Sequence, residues 1–263
     1  MRVILLGTGA SAGVPTIGGA DGTGDWGACD PAELRNRRTR ASIVVENETG
    51  TRLLVDTGPD LREQLLSCRV PRVDAIIYTH PHADHITGLD DVRILNRIAG
   101  RPLDAYATKI TLEELNRRFS YAFRPWEPPG FFRPVLVPRE VTAGETIDVA
   151  GCKVRLFEQD HGFSKSLGLR IGNFGYSTDV VRLDDAALAA LSGVDIWVVG
   201  CFWRRGSHKT HADLSQVQDW ADRLGVRRTV LTHMGNDMDW GWLNANLPPN
   251  IEPGHDGMVL DLT

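Results

Sequence analysis

Apolar positions along this chain fall into short runs and alternations divided by turn residues, with a few longer stretches at helical spacing. The opening Val3-Ile4-Leu5-Leu6 reads as a first strand. Between 152 and 160, Val154 and Leu156 alternate with Arg155 and Phe157, the period of a strand. The pattern predicts strands over 2–6, 41–46, 51–56, 74–79, 103–107, 146–149, 152–160, 166–171, 174–177, 194–199, 227–232 and 257–262. Helices are predicted over 60–68, 88–99, 109–119, 184–191 and 213–224, with a short one near 239–246. The clearest is 213–224, where Leu214, Val217, Trp220, Ala221 and Leu224 recur at helical spacing and Gly225 supplies a stop signal. Two segments escape the pattern. Gly18–Asn36, rich in Gly, Asp and Arg, reads as a long ordered loop or hairpin. Tyr121–Pro138 carries Pro125, Pro128, Pro129, Pro134 and Pro138 among Phe123, Trp126, Phe131 and Phe132. Its prolines argue against regular structure, so a lid, a dimer contact or an irregular segment packed on its own domain is expected.

Composition narrows the class. With 263 residues, 42% hydrophobic and 24% charged, the chain can bury one large core, and a single domain over 1–263 is expected. The apolar run at the N-terminus is too short for a signal peptide, and no run approaches membrane-spanning length. Cys29, Cys68, Cys152 and Cys201 are far apart, which suggests neither a disulfide framework nor a thiolate zinc site, and a cytoplasmic location follows by default. A net charge of −5 argues against an extended nucleic-acid surface, though not against a local anion pocket.

The chemistry concentrates in Thr79-His80-Pro81-His82-Ala83-Asp84-His85, directly after the apolar strand that begins at Asp74. Pro81 discourages helix just before it, and side chains two apart in extended chain share a side, so His80 and His82 can grip one cation. Asp84 and His85 lie a turn further on and point to a neighbouring position. Imidazole and carboxylate suit zinc, with iron or manganese as other candidates. Further ligands should stand at the ends of later strands. His161, Asp179 and His233 each follow an apolar strand.

This set resembles the metallo-β-lactamase superfamily of two-metal hydrolases. The resemblance runs from the Val3–Gly9 strand and Gly loop to the last strand. It implies an α/β fold, a four-layer αβ/βα sandwich with the metals at the edge between two sheets. It also implies that Asp56, at the end of Leu53-Leu54-Val55-Asp56, supports the ligands from behind. The implied ligand sets are His80, His82 and His161 for one metal and Asp84, His85 and His233 for the other, with Asp179 and a hydroxide bridging.

Membership alone leaves lactams, thioesters, lactones and phosphodiesters open. His211, in Gly206-Ser207-His208-Lys209-Thr210-His211-Ala212-Asp213, is similar in place to the histidine that the phosphodiesterase branch (tRNase Z and the PhnP-type cyclic phosphodiesterases) uses beside its metals. It would protonate the leaving oxygen, with Asp213 orienting it or capping the following helix. Asp84 would accept the proton of the attacking water. His208, Arg37, Arg38 and Arg40 are candidates for substrate contact, the arginines for a second phosphate. Leu6–Pro15, the run 36–42 and Arg118–Phe123 look closer to the PhnP type than to tRNase Z. PhnP-type chains carry clustered cysteines after the first strand and a histidine beyond the last ligand, forming a structural zinc site. Here only Cys29 and Asn236 stand at those places, so that zinc is not expected.

The expected activity is hydrolysis of a small cyclic phosphate or nucleotide-like phosphodiester. It would use two divalent ions, zinc or manganese, with a nucleoside monophosphate as a product ligand and a homodimer as a candidate assembly. A thioester or lactone hydrolase and a tRNA 3′-end nuclease are the alternatives.

Overall fold

The first strand shows how the layers arise. Val3 and Leu5 point into a core between two sheets, while Ile4 and Leu6 point outward into a core beneath helices. The same two-residue period holds in later strands, where Ile196 and Val198 face inward and Trp197 and Val199 outward. Strands buried on both faces need continuous apolar runs, which these are.

The computed structural model describes residues 1–127, 129 and 132–262. In chain order the strands are β1 (Arg2–Gly7), β2 (Ser42–Glu46), β3 (Arg52–Val55), β4 (Ala75–Ile77), β5 (Leu103–Ala107), β6 (Leu136–Glu140) and β7 (Thr146–Val149). They continue as β8 (Cys152–His161), β9 (Ser164–Ile171), β10 (Phe174–Ser177), β11 (Ile196–Gly200), β12 (Arg228–Thr232), β13 (Ile251–Pro253) and β14 (Val259–Asp261). The helices are α1 (Leu61–Ser67), α2 (Ala83–Ile86), α3 (Val92–Ala99), α4 (Lys109–Arg118), α5 (Asp185–Leu191), α6 (Leu214–Leu224) and α7 (Trp240–Asn246).

One sheet has the order β14-β1-β2-β3-β4-β5-β6 and the other β13-β12-β11-β10-β9-β8-β7. Within each, antiparallel pairing gives way to a parallel run, β3-β4-β5-β6 in the first and β10-β11-β12-β13 in the second. Apolar faces of α1 and α3 cover the first sheet and those of α5 and α6 the second, completing a four-layer α/β sandwich. Parallel strands end together, so their exits gather along one rim, where α/β sheets place their sites.

Several boundaries differ from the sequence expectation. The strand expected over 74–79 stops at Ile77, because the chain turns away to deliver the histidines. The helix expected over 88–99 divides into a 3-10 turn, Leu89–Asp91, and α3. The Tyr121–Pro138 segment contains regular structure after all. Ser120–Phe123 is a 3-10 turn, and Leu136 opens edge strand β6, whose Pro138 pairs opposite Ala105. An edge strand tolerates a proline because one side needs no ladder bond. Arg133 ties the segment to itself through the carbonyls of Tyr121 and Pro125, both at 2.8 Å. Pro128 and Phe131, named in that expectation, lie outside the described residues. Among the described residues no helix is long and apolar enough to cross a membrane.

Candidate metal centre

β4 and the chain after it build half of the site. From Ile77 the chain runs extended through His80 and His82, and His82 becomes the N-terminal cap of α2. The short helix then carries Asp84 and His85 a turn away. The other half comes from the second sheet. His161 ends β8, Asp179 lies just past β10, and His233 follows β12 with a left-handed φ of 52°. A histidine held there is strained, and such strain persists where the surroundings over-determine it.

These seven side chains form two groups that share Asp179: His80, His82, His161 and Asp179, and Asp84, His85, Asp179 and His233. Within each group the ligand atoms lie within 4.8 Å of one another. Asp179 Oδ1 stands 3.1 Å from His85 Nε2 and 3.2 Å from His233 Nε2. Its Oδ2 stands 3.4 Å from His161 Nε2 and 3.6 Å from His80 Nε2. Asp84 Oδ2 lies 3.3 Å from His85 Nε2 and 3.5 Å from His233 Nε2.

The atoms fit a pair of divalent cations. Nε2 of His80, His85 and His233 are buried without a hydrogen-bond partner, which would be costly unless an ion accepted their lone pairs. His161 Nε2 and His82 Nδ1 face each other at 3.2 Å, two ring nitrogens suited to one cation between them. Burial would lower His85, yet the carboxylates of Asp179, Asp84 and Asp56 hold it well above its ordinary value. Burial would likewise raise Asp179, but His233, His85 and His80 keep it well below the carboxylate range. The cluster thus concentrates buried negative charge where a cation fits.

Outer contacts fix the rings. Fully buried Asp56, with φ of 65°, accepts from the Thr79 N–H at 2.8 Å and hydroxyl at 2.7 Å and lies 2.7 Å from His85 Nδ1. Thr79 Oγ1 is 3.0 Å from His80 Nδ1, and the Thr210 carbonyl is 2.7 Å from His161 Nδ1. Each leaves the opposite nitrogen for the metal, as outer contacts to ligating histidines do. Arg118 braces the turn by donating to the Pro81 carbonyl at 3.0 Å. Close approach matters as well, since a Cβ on Gly88 would run into the Gly58 carbonyl oxygen.

His211 belongs to neither metal group. Its ring stacks on His233 at 4.8 Å and lies 4.9 Å from His161. Burial, then His233, pulls it down to about 3. His208 stands beside it, 5.1 Å ring to ring, with Nδ1 toward the Thr210 N–H and hydroxyl. Phe202, which the sequence reading missed, packs 5.0 Å from His211 and 6.5 Å from His233. Nothing in its local pattern marks it.

Other expected residues sit elsewhere. Asp213 does not orient His211. It forms a capping box at the start of α6, accepting from Gln216 N at 2.9 Å. Arg38 does not face the centre either. It is 2% exposed, and its guanidinium donates to the Met238 carbonyl at 2.7 Å and to Asn36 Oδ1 at 3.2 Å. It thereby clamps the loop after His233, and its charge lies 3.9 Å from Cys29 Sγ, where it repels a third cation. Arg37 lies over the Trp26 ring at 5.1 Å. Arg40 reaches the margin of the centre, sharing a small cavity with Ser11 and Asp84, and pairs with Asp60 at 3.2 Å.

A family model described as the β-lactamase superfamily domain matches residues 51–234. An octanoyltransferase of Porphyromonas gingivalis is 31% identical over 259 residues, which cover 98% of this chain and 51% of that protein. The chain thus spans about half the length of that relative. A crystal structure of a diphosphatase from the PhnP family is 35% identical and superposes with a TM-score of 0.88, covering 100% of this chain and 98% of that one. Zinc-bound PqqB from Methylobacterium extorquens shares the fold at 19% identity, with a TM-score of 0.77 and full coverage of both chains.

Two measurements check the centre. Elemental analysis of protein purified without chelator should approach two divalent ions per chain, and a stoichiometric third ion resistant to chelation would contradict the geometry around Cys29 and Arg38. Gly88→Ala must push α2 away from the Asp56–Gly58 turn. It should cost about 1–3 kcal/mol in thermal or denaturant unfolding and weaken the metal held by Asp84, His85 and His233 before the other. Equal weakening of both ions in a metal titration would contradict this packing.

Proposed function

Because the chain belongs to the metallo-β-lactamase superfamily of metal-dependent hydrolases, we propose that it hydrolyses a small cyclic phosphate or nucleotide-like phosphodiester. The observation that carries this reading is His211, packed against ligands of both metal groups while belonging to neither. Ester oxygens bonded to carbon leave phosphorus as alkoxides and gain from a proton donor, whereas a thiolate leaves without one. The likeness to a PhnP-family diphosphatase supports phosphorus as the electrophile.

His80, His82 and His161 would hold one divalent ion and Asp84, His85 and His233 the other, with Asp179 shared; zinc suits this donor set and manganese is the second candidate. When bound, the two ions supply Lewis acidity toward phosphoryl oxygens and a water acidified toward neutral pH. The protein's residues do the rest. His82 and Asp84 lie on the open side of the cluster, so substrate approaches there. Asp84 would take the proton released by the attacking water and pass it on to solvent at the open side; burial would raise its carboxyl, but His85 and His233 hold it below the usual range, so it does not keep the proton. His211 enters as a neutral ring in the protein alone. An anionic phosphoryl group beside it favours its protonated form, and the ring then delivers that proton to the departing oxygen. Phe202 and the His233 ring, packed against His211, hold it in place.

The likeness to an octanoyltransferase, of which the chain spans about half, supports a second reading in which the substrate is an acyl ester or thioester. His211→Ala separates the two. On the phosphodiester reading the variant retains both metals and slows a cyclic nucleotide by about 10²–10⁴-fold, but slows bis-nitrophenyl phosphate, whose leaving group is activated, much less. His85→Ala should lose metal and depress both substrates together. Equal slowing of activated and unactivated esters by His211→Ala, with metals intact, would make the histidine a phosphate-positioning group. Turnover of a thioester and of no phosphodiester would favour the second reading.

A further inference from the structure

We propose that the cavity on the rim beside His80 and His82 holds a flat, uncharged ring of the substrate, a nucleobase or an aryl group, against Phe163. The inference rests on the phosphodiester reading above and narrows it to phosphate esters whose organic part carries such a ring.

The cavity measures about 650 Å³, within the size range of small-molecule sites. The first sheet's side supplies Pro81, Ile110 at the start of α4, and Val141 just past β6. The second supplies Phe163, in the turn between β8 and β9, and Leu167 of β9. Two further residues of its wall bond directly to the centre. Thr79 Oγ1 lies 2.7 Å from Asp56 Oδ2 and 3.0 Å from His80 Nδ1, and Ser166 Oγ donates to the Asp179 carbonyl at 2.8 Å. Pro81 stands between His80 and His82, and His82 is exposed. Neighbouring Cα atoms are about 3.8 Å apart, so a phosphate held at His82 is one residue from the cavity's wall.

The lining selects the occupant. Phe163 is 87% exposed and Ile110 71%, one from each side of the sandwich, and both belong to this cavity. A single exposed apolar side chain is ordinary, but two that line one cavity beside a metal centre supply an apolar binding wall. Fixed charge cancels there, Lys109 and Lys165 against Glu140 and Glu158, and Lys165 pairs with Glu158 at 3.2 Å. An ion gains nothing from that balance. A neutral ring gains apolar contact and stacking on a phenyl face, while the Thr108 and Ser164 hydroxyls can meet its polar edge. The turn itself is held. Gly162, with φ of 73°, lies against the loop that carries His211, where a Cβ would run into the Lys209 carbonyl oxygen. Phe163 therefore keeps its place beside the centre while its ring stays open to solvent.

The test compares adenosine 5′-monophosphate with ribose 5-phosphate, which share sugar and phosphate and differ by the base, titrated by calorimetry into metal-loaded protein. The nucleotide should bind about 10- to 100-fold more tightly, the worth of one stacked base. Phe163→Ala should bring that ratio toward one, Phe163→Trp should keep it, and Ile110→Ala should lower it part of the way. Both side chains are exposed, so thermal melts and metal content should match the parent. No preference in the parent protein, or one that survives Phe163→Ala, overturns the ring site. Octyl phosphate bound as tightly as the nucleotide, and weakened alike by Phe163→Ala, would overturn it in favour of an acyl chain. If the preference holds and is lost in Phe163→Ala, but neither a cyclic nucleotide nor bis-nitrophenyl phosphate is hydrolysed, the ring site stands and the phosphodiesterase reading fails. Hydrolysis without the preference gives the converse.

Discussion

One buried carboxylate joins the two halves of this molecule. Asp179 sends Oδ1 toward His85 and His233 and Oδ2 toward His161 and His80. His80 and His85 belong to the first sheet's side of the sandwich, the other two to the second. A carboxylate in apolar surroundings must be compensated, and here imidazoles from both sheets compensate it. The packing of sheet on sheet and the assembly of the centre are therefore one event. A shift in how the inner faces meet, Val198 and Leu156 against Val55 and Ile77, would separate the ligands of one oxygen from those of the other.

Two of the four non-glycine residues with left-handed backbone among those described sit where this demand is greatest. Asp56 and His233 both have left-handed backbone conformations, which a side-chain-bearing residue adopts at a cost. Asp56 reaches back to Thr79 and His85 from the end of a neighbouring strand, and His233 turns out of β12 toward Asp84 and Asp179. Both strands end in apolar runs anchored in the core, and the loops beyond are tied down, His233 by the Arg38 clamp on Gly235 and Met238.

This arrangement explains which parts were legible in the sequence. His80, His82, Asp84 and His85 announced themselves because local spacing alone brings them together. His161, Asp179 and His233 were legible because each sits where an apolar strand runs out, and parallel strands bring such exits to one rim. Arg38 was misread because charge carries no direction in a sequence. Arg38 reads as a surface residue in a basic run, yet it is buried by contacts to a loop some two hundred residues later. Asp213 had two fitting roles, and the helix it begins decided between them. The edge strand at Leu136–Glu140 was hidden because proline argues against a strand in general but permits an edge.

The residues of the two metal groups and the side chains packed around them obey different rules in this chain. His161, Asp179 and His233 stand at strand ends, where the core fixes the backbone, and His80 to His85 follow β4 and enter α2. His211, His208 and Phe202, which pack beside the cluster, all lie in one connection, between β11 and α6. A loop of this kind can change without disturbing either sheet, because few of its own side chains enter the inter-sheet core. A hydrogen bond, the Thr210 carbonyl on His161 Nδ1, and the packing of His211 on His161 and His233 keep it in step with the cluster. The loop that presents His211 thus also sets the orientation of the His161 ring. The stretch from Thr210 to His211 is held against His161 and His233 and so must keep its place, whereas the exposed stretch Arg205 to Ser207 carries no such tie among the described residues.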